Sequence, residues 1–248
     1  MNRTKEIGFS QRIRLEWLEE TARLVLAGNS QATITASLQQ LLKDKVSIGG
    51  TAERGNREKI ITILMKVWLS ASAELDGLRV DGLELLKHLS KEDRIAVHWG
   101  MIMAVYPFWG AVASQVGRLL RLQGSASAAH VQRRVREQYG ERETISRSAR
   151  RVLRSYLDWE ILRLSGVKGV YQCGSLLSLR DTKIIAWLVE AFLYSRSKES
   201  ASPKEIIENP SLFPFNIGPI TGERLVAASD RLELIHHGLD QDLIYLRK

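Results

Sequence analysis

The stretch from Thr144 to Leu157 most limits how this chain can fold, because its residues alternate in character at helical spacing. Two sets recur with the i, i+3, i+4, i+7 spacing of one helix face. One set is apolar and the other cationic: Ala149, Val152, Leu153 and Tyr156 against Arg147, Arg150, Arg151 and Arg154. A single helix here can pack one face on a core and present four guanidinium groups to an anionic partner, for which phosphate is the first candidate.

The positive charge is concentrated in the middle of the chain. The 248 residues have a net charge of +8 and a pI of about 9.7. Residues 101–170 hold 12 Lys and Arg against 5 Asp and Glu, whereas residues 1–100 hold 15 against 13 and residues 171–248 hold 9 against 10. A concentrated cationic patch favours binding to a polyanion, because each neutralised phosphate releases counterions. The alternative is a solvated basic face that only aids solubility.

The rest of the composition indicates a globular protein of the reducing cytoplasm. Hydrophobic residues make up 44% of the chain, enough for a sizeable core in one or two domains. Cys173 is the single cysteine, which excludes a disulfide framework and a cysteine-based metal site and fits a cytoplasmic location. The polar, charged N-terminus does not have the pattern of a secretory signal.

One stretch leaves a membrane span as an alternative. Residues 95–117 carry no formal charge, and 23 residues are enough to cross a bilayer. Pro107 in the middle of this stretch, together with its glycines and His98, argues against a lone membrane helix. We therefore predict two buried helices that join near Tyr106 to Trp109, and no membrane span.

Helical periodicity runs through the first hundred residues and predicts an N-terminal bundle. Five segments show it, separated by residues that suit helix ends, among them the predicted break at Gly49-Gly50 and the predicted N-cap Ser90. These predicted helices cover residues 10–28, 30–43, 53–70, 81–89 and 91–105.

The middle of the chain has the element order of a winged helix-turn-helix. Helices are predicted over residues 111–122 and 127–139, and from Thr144 to about Asp158. Two short runs rich in apolar and β-branched residues follow, at residues 160–164 and 170–173, around a turn that contains glycine. These runs indicate a β-hairpin, which would be the wing.

A looser version of the same order returns at the C-terminus. Helices are predicted over residues 181–195 and 221–229, with a short one from Ser202-Pro203, a loop at residues 209–219 and a hairpin of residues 231–235 and 242–246 around Gly238. The predicted fold is mainly α. It has an N-terminal helical bundle in residues 1–108, a central winged helix-turn-helix in residues 109–175, and a C-terminal helix plus β-hairpin unit, winged-helix-like, in residues 176–248.

Candidate DNA contacts follow from the helix-turn-helix, in which the second helix of the pair enters the major groove. Arg147 and Arg150 are the predicted groove contacts, because arginine can donate two parallel hydrogen bonds to guanine. Arg151 and Arg154 lie farther along and are expected to meet phosphate, and Thr144 or Ser146 is expected to cap the helix, with Ser146 also a candidate contact. The remaining predicted contacts are to the DNA backbone: Arg133, Arg134, Arg136, Arg142 and, at the tip of the wing, Lys168. For any single arginine the alternative is an ion pair with Glu137, Glu141 or Glu143.

No catalytic residue, metal site or cofactor is predicted. His236 and His237 are adjacent, so in a strand they point to opposite faces and cannot both ligate one metal ion. The other histidines have no partner at metal-ligand spacing, and phosphate-loop, nucleophile-elbow and zinc motifs are absent from the sequence.

Two segments of the sequence resemble the BrxA family of BREX bacteriophage-exclusion systems. One is Arg57-Glu58-Lys59-Ile60 leading into Val67-Trp68, and the other is Glu143-Thr144-Ile145-Ser146 leading into Leu153-Arg154-Ser155-Tyr156-Leu157. The resemblance extends to the order of elements over most of the chain. It implies a small cytoplasmic helical protein that binds double-stranded DNA beside larger methyltransferase and ATPase components, and it supplies no catalytic residues.

The sequence thus predicts a non-enzymatic, DNA-binding component of phage defence. Its outer segments would contact other defence-system proteins or a second copy of the chain. Two alternatives remain open. A transcriptional regulator would prefer a palindromic site, and an adaptor protein would use the arginines to bind an acidic protein partner, without the steep salt dependence of DNA binding.

Overall fold

In a computed structural model the chain is mainly α-helical, as predicted. The structure describes residues 7–46, 55–196, 198, 200–237 and 241–247. The predicted breaks at Gly49-Gly50 and Gly238, and the predicted helix start at Glu53, lie outside these residues. Eleven α-helices occur in the described part: α1 (Leu15–Leu26), α2 (Gln31–Leu42), α3 (Asn56–Trp68), α4 (Asp76–Leu86), α5 (Lys91–Val105), α6 (Pro107–Gln123), α7 (Ala128–Tyr139), α8 (Glu143–Asp158), α9 (Thr182–Tyr194), α10 (Pro203–Ile207) and α11 (Gly222–Ala227).

Eight short strands accompany these helices in the described part of the chain. They are β1 (Ala126–Ser127), β2 (Leu162–Leu164), β3 (Val170–Cys173), β4 (Leu177–Leu179), β5 (Ser200–Ala201), β6 (Phe215–Ile217), β7 (Leu232–His237) and β8 (Gln241–Leu246). The strands form an antiparallel sheet in the order β1-β3-β2, a parallel pair β4-β6, and an antiparallel sheet in the order β5-β8-β7. The two predicted hairpins are therefore present as β2–β3 and β7–β8.

The helix bounds differ from the predicted ones mainly in the N-terminal part. Helix α1 begins at Leu15 rather than near Ser10, and residues 7–14 precede it without regular structure. Helix α4 begins at Asp76, directly after a short 3-10 helix, whereas the prediction started it at Asp81. Ser90 caps α5 as predicted, because its hydroxyl accepts a hydrogen bond from the Asp93 backbone N–H.

The long uncharged stretch folds as two buried helices. Helix α5 ends at Val105, Tyr106 separates the helices, and Pro107 is the first residue of α6, a position that needs no backbone N–H. No single helix in the described part is long and apolar enough to cross a membrane. Helices α5 and α6 meet that test only as a pair, and the pair is bent by 117°.

One hydrophobic core extends across the predicted domain boundaries. The boundary at 108/109 falls inside α6. Helix α9, from the C-terminal region, packs on α4 and α5 of the N-terminal bundle. At this contact the indole N–H of Trp187 donates a 2.8 Å hydrogen bond to the Leu78 carbonyl, and a Cβ at Gly100 would lie 2.6 Å from the Trp187 ring. The backbone of α5 and the indole thus come into direct contact.

A partly buried ion pair network joins α4, α9 and the segment before β7. Arg231 Nε donates a 2.7 Å hydrogen bond to Glu190, and Arg231 Nη2 lies 2.6 Å from Asp81. The Ser229 hydroxyl also donates to Glu190. Burial raises the pKa of Glu190, against the lowering effect of these two partners. The network fixes the C-terminal region to the N-terminal bundle.

A second polar network lies between α1 and α5. The Arg94 guanidinium donates to both Glu19 oxygens, at 2.9 Å from Nε, and His98 Nε2 lies 3.1 Å from Glu19. The Trp68 indole N–H donates a 3.2 Å hydrogen bond to His98 Nδ1. Burial alone would raise the pKa of Glu19, but His98 and Arg94 lower it to about 2. Burial also lowers the pKa of His98, which favours its neutral form.

The same order of elements occurs twice in the second half of the chain. Helix α6 is followed by β1, α7, α8, β2 and β3, and the sheet order is β1-β3-β2. Helix α9 is followed by β5, α10, α11, β7 and β8, and the sheet order is β5-β8-β7. The second set also includes the added strand β6 and a 3-10 helix between α10 and α11.

Candidate nucleic-acid interface

Helix α8 is anchored to the core by the apolar face that its sequence predicts. Ala149, Val152, Leu153 and Tyr156 are all buried. The Tyr156 ring stacks on Trp99 at 4.9 Å between ring centroids, and its hydroxyl donates a 2.8 Å hydrogen bond to the Trp109 carbonyl. Since these aromatic neighbours are themselves fully buried, the orientation of α8 about its own axis is set by the core.

The opposite face of α8 presents the four predicted arginines to solvent. Arg147, Arg150 and Arg154 are exposed, and Arg151 is half-buried. The pKa of Arg151 is lowered first by burial and then by four neighbouring cations, Arg154, Arg147, Arg150 and Arg12. The arginines are therefore close enough to repel one another. Within the described part of the chain, Arg147, Arg151 and Arg154 form no ion pair.

Arg12 joins this cluster from the N-terminal segment, and no pattern in the sequence predicts this contact. Its guanidinium forms a two-pronged ion pair with Asp158 at the end of α8, and the hydrogen bond to Asp158 raises the pKa of Arg12. Two further hydrogen bonds fix this segment against α8. The Ile13 backbone N–H donates to the Ser155 hydroxyl at 2.9 Å, and the Trp159 indole N–H donates to the Ile13 carbonyl at 3.0 Å.

Several predicted contacts are ion-paired with nearby glutamates instead of being free. Arg133 and Arg134 lie 3.8 and 3.2 Å from Glu137 on α7. Arg136 lies 3.4 Å from Glu141, and Arg150 Nη2 donates a 2.9 Å hydrogen bond to Glu143. The alternative that the sequence left open for single arginines therefore applies to these four.

The other predicted contacts differ in their exposure. Arg142 and Lys168 are exposed, Lys168 in the turn between β2 and β3. Ser146 is buried, with 6% of its surface exposed, which argues against it as a DNA contact. The predicted caps are wrong, because α8 begins at Glu143 and Arg142 occupies the N-cap position without a side-chain hydrogen bond. The buried face of α8 is wider than its apolar residues alone indicate, and it includes Ser146, Ser148 and Ser155.

The hairpin that follows α8 is free of negative charge. From Ile161 to Arg180 the sequence has no Asp or Glu, and it carries Arg163, Lys168 and Arg180. The β2–β3 register pairs Leu162 with Cys173 and Leu164 with Tyr171. The hairpin and the exposed face of α8 are thus two adjoining cationic elements.

In comparisons with known proteins, no protein-family model, curated protein or solved structure matches the chain.

Proposed function

We propose that this protein binds double-stranded DNA without catalysing a reaction, with α8 in the major groove and the β2–β3 hairpin as a wing. The observation that carries the proposal is the cluster of arginines on the exposed face of α8, where Arg147, Arg151 and Arg154 have no carboxylate partner in the described part. A phosphate backbone would relieve the mutual repulsion of this cluster.

The order of helices and strands also supports the proposal of DNA binding by a winged helix. In a winged helix, a three-stranded sheet and three helices place the third helix beside the hairpin. The order α6, β1, α7, α8, β2, β3 and the sheet order β1-β3-β2 fit this arrangement. Helix α7 would then cross the DNA backbone. Arg147 and Arg150 are the candidates for base contacts in the first turns of α8, and Arg151, Arg154, Arg142 and Lys168 for phosphate contacts.

The proposed biological setting is phage defence in a bacterial cytoplasm, in a system similar to BREX. Its support is the resemblance carried by residues 57–68 and 143–157. In this setting other defence-system proteins or a second copy of the chain would bind beside the DNA. The efficiency of phage plating on the host, with the wild-type gene, a deletion or the triple variant described next, tests this part separately.

The direct test of DNA binding is a fluorescence-anisotropy titration of a labelled duplex at several salt concentrations. The variant carries Arg147→Ala, Arg151→Ala and Arg154→Ala, the arginines of α8 that form no ion pair with a described residue. A matched control carries Lys43→Ala, Lys59→Ala and Lys87→Ala, exposed cations of the N-terminal bundle, and has the same net charge. Comparing these two variants separates a specific site from the effect of total charge.

We expect the triple arginine variant to bind more weakly, with a salt slope shallower by about 1 for each lost phosphate contact, roughly 2 for Arg151 and Arg154 together. The lysine control should keep the wild-type slope. If the wild type and both variants bind equally weakly, the DNA proposal fails, and an adaptor that binds an acidic protein becomes the better account of the cluster. A strong preference for a palindromic duplex would instead indicate a transcriptional regulator.

A further inference from the structure

The β2–β3 hairpin extends beyond the core and carries an uncovered apolar end. Leu162 and Leu164 are two residues apart in β2, so they lie on the same face of the strand. Leu162 packs in the core and is 2% exposed, whereas Leu164 is 69% exposed. The hairpin therefore leaves the body of the protein between these two residues, and the face that packs on the core continues into solvent.

The turn of the hairpin is ordered and holds a second aliphatic side chain in solvent. Val167, at the turn, is 63% exposed. The Val167 N–H donates to the Ser165 hydroxyl at 3.2 Å, and the Val170 N–H donates to the Val167 carbonyl at 3.1 Å. Gly166 and Gly169 have φ of 86° and 76°, values that strongly favour glycine. The hydrogen bonds and glycines fix the path of the turn, so Val167 stays at its tip without collapsing on the core.

The sequence around these two side chains carries cations and no carboxylates. Arg163 precedes Leu164 on the opposite face of β2, and Lys168 follows Val167 in the turn; both cations are exposed. The twenty residues from Ile161 to Arg180 contain no acidic residue. An apolar tip between two cations is complementary to a groove of duplex DNA, where phosphates line the rims and the base-pair edges and stacked bases offer apolar surface.

We propose that the apolar end of this hairpin, Leu164 and Val167, inserts into the minor groove of duplex DNA and bends the duplex. This inference rests on the proposed function, and it adds a deformation of the DNA to it. Aliphatic side chains in the minor groove partly unstack a base step, and the duplex bends away from them toward the major groove. Arg163 and Lys168 bind the phosphates on either side, and the bend brings more backbone within reach of α8.

The consequence is a preference for DNA that bends easily. Pyrimidine–purine steps such as TA unstack at the lowest cost, whereas A-tracts are stiff. Part of the sequence preference of this protein then comes from the deformability of the DNA, at positions where no side chain forms a hydrogen bond with a base.

The test measures DNA bending and DNA affinity in one titration. A duplex of about 30 base pairs with a donor and an acceptor dye at its ends reports bending as increased energy transfer. The wing variant carries Leu164→Ser and Val167→Ser. A matched control carries Leu176→Ser and Val80→Ser, which also removes one leucine and one valine that are well exposed, at 65% and 54%. Thermal unfolding checks that both variants keep the fold.

We expect the wild type and the control to bend the duplex by roughly 20–90°. The wing variant should leave it nearly straight and bind about tenfold more weakly. Its salt slope should fall by less than that of the triple arginine variant, because the arginines of α8 remain and only the contacts that the bend adds are lost. Replacing a central TA step by an A-tract should weaken binding of the wild type and leave the wing variant unaffected.

The inference is overturned if the wild type binds the duplex and leaves it straight, or if the wing variant bends it as the wild type does. It is also overturned if the wing variant loses only a dimer that the wild type forms in sedimentation velocity, because the apolar end then contacts a second copy. These outcomes leave the proposed DNA binding intact. If the wild type shows no salt-dependent binding at all, the proposed function itself has failed.

Discussion

Replacing Arg151 by methionine should stabilise the folded protein and weaken its binding to DNA. Arg151 has Arg147 four residues before it and Arg154 three residues after it, and each such pair of like charges on a helix costs about 0.2–0.5 kcal/mol. Methionine matches arginine in helix propensity and replaces the aliphatic part of a half-buried side chain. Removing two repulsive pairs should therefore raise the free energy of unfolding by about 0.4–1 kcal/mol.

The assay is urea unfolding of wild type and variant at two salt concentrations. At about 10 mM salt the Debye length is about 30 Å and the repulsion is fully expressed, whereas at about 1 M it falls to about 3 Å. The gain in stability should be present at low salt and nearly absent at high salt. For a chain of this size, 1 kcal/mol corresponds to about 2–4 °C in Tm, so thermal unfolding can serve as the second measurement.

Arg134→Met is the matched control, because Arg134 is exposed and forms an attractive ion pair with Glu137 on the next turn. This change should lower the free energy of unfolding by about 0.2–0.5 kcal/mol at low salt. If Arg151→Met destabilises the protein, or stabilises it equally at both salt concentrations, the like-charge repulsion on α8 is refuted. A variant that is more stable and yet binds DNA with a salt slope shallower by about 1 would show that the charge serves binding at the expense of stability.

Three further changes test the fold around the interface. Tyr156→Phe removes a buried hydroxyl that donates to the Trp109 carbonyl, and should lower the free energy of unfolding in urea by about 1–2 kcal/mol. A loss near zero would mean that this hydrogen bond contributes nothing to stability. Glu19→Gln should lower the free energy of unfolding at pH 7 by about 2 kcal/mol. Burial alone would raise the pKa of Glu19, but its hydrogen-bonding partners lower it to about 2. The ionised glutamate therefore stabilises the fold fully above about pH 4.5, and this stabilisation is lost as the pH falls toward 2. An unfolding series across this range should show the two proteins converging at the acid end, and parallel curves would contradict the ion pair. Glu160→Gly should raise the free energy of unfolding by about 0.5–1 kcal/mol. Glu160 lies just after α8 with φ of 59°, a conformation that favours glycine. A destabilised variant would show that the glutamate side chain has a structural role.

Helical periodicity predicted α8 well because its signal is local. Ala149 and Val152 lie one turn apart, and burial follows that spacing along the whole helix. The beginning of α8 was harder to place. Thr144 and Ser146 are good capping residues by type, yet the chain turns into the helix at Arg142, whose side chain forms no cap hydrogen bond. Residue preference at helix ends is a weak guide where the neighbouring helix α7 and its turn decide the entry angle.

Contacts between distant residues are the part that the sequence did not reveal. Arg12 lies 146 residues before Asp158, and no local pattern links the two. The short strands β1, β4, β5 and β6 have two or three residues each, too few for an alternating pattern to register. The burial of α9, by contrast, can be predicted from the sequence. Helix α9 is apolar on nearly every side, a composition that indicates a buried helix, and in the fold it packs on α4 and α5.

The distribution of ion pairs divides the cationic surface into two parts with different expected behaviour. The arginines of α7 already share glutamates, so binding a phosphate means exchanging one anionic partner for another, and the net gain is small. On α8, Arg147, Arg151 and Arg154 face each other without a carboxylate in the described part, so an anionic partner adds attraction and removes repulsion together. A surface that served only solubility would interleave charges of both signs, as α7 does. The unpaired cluster on one rigid face of α8 is therefore the part of the molecule that gains most from meeting a polyanion.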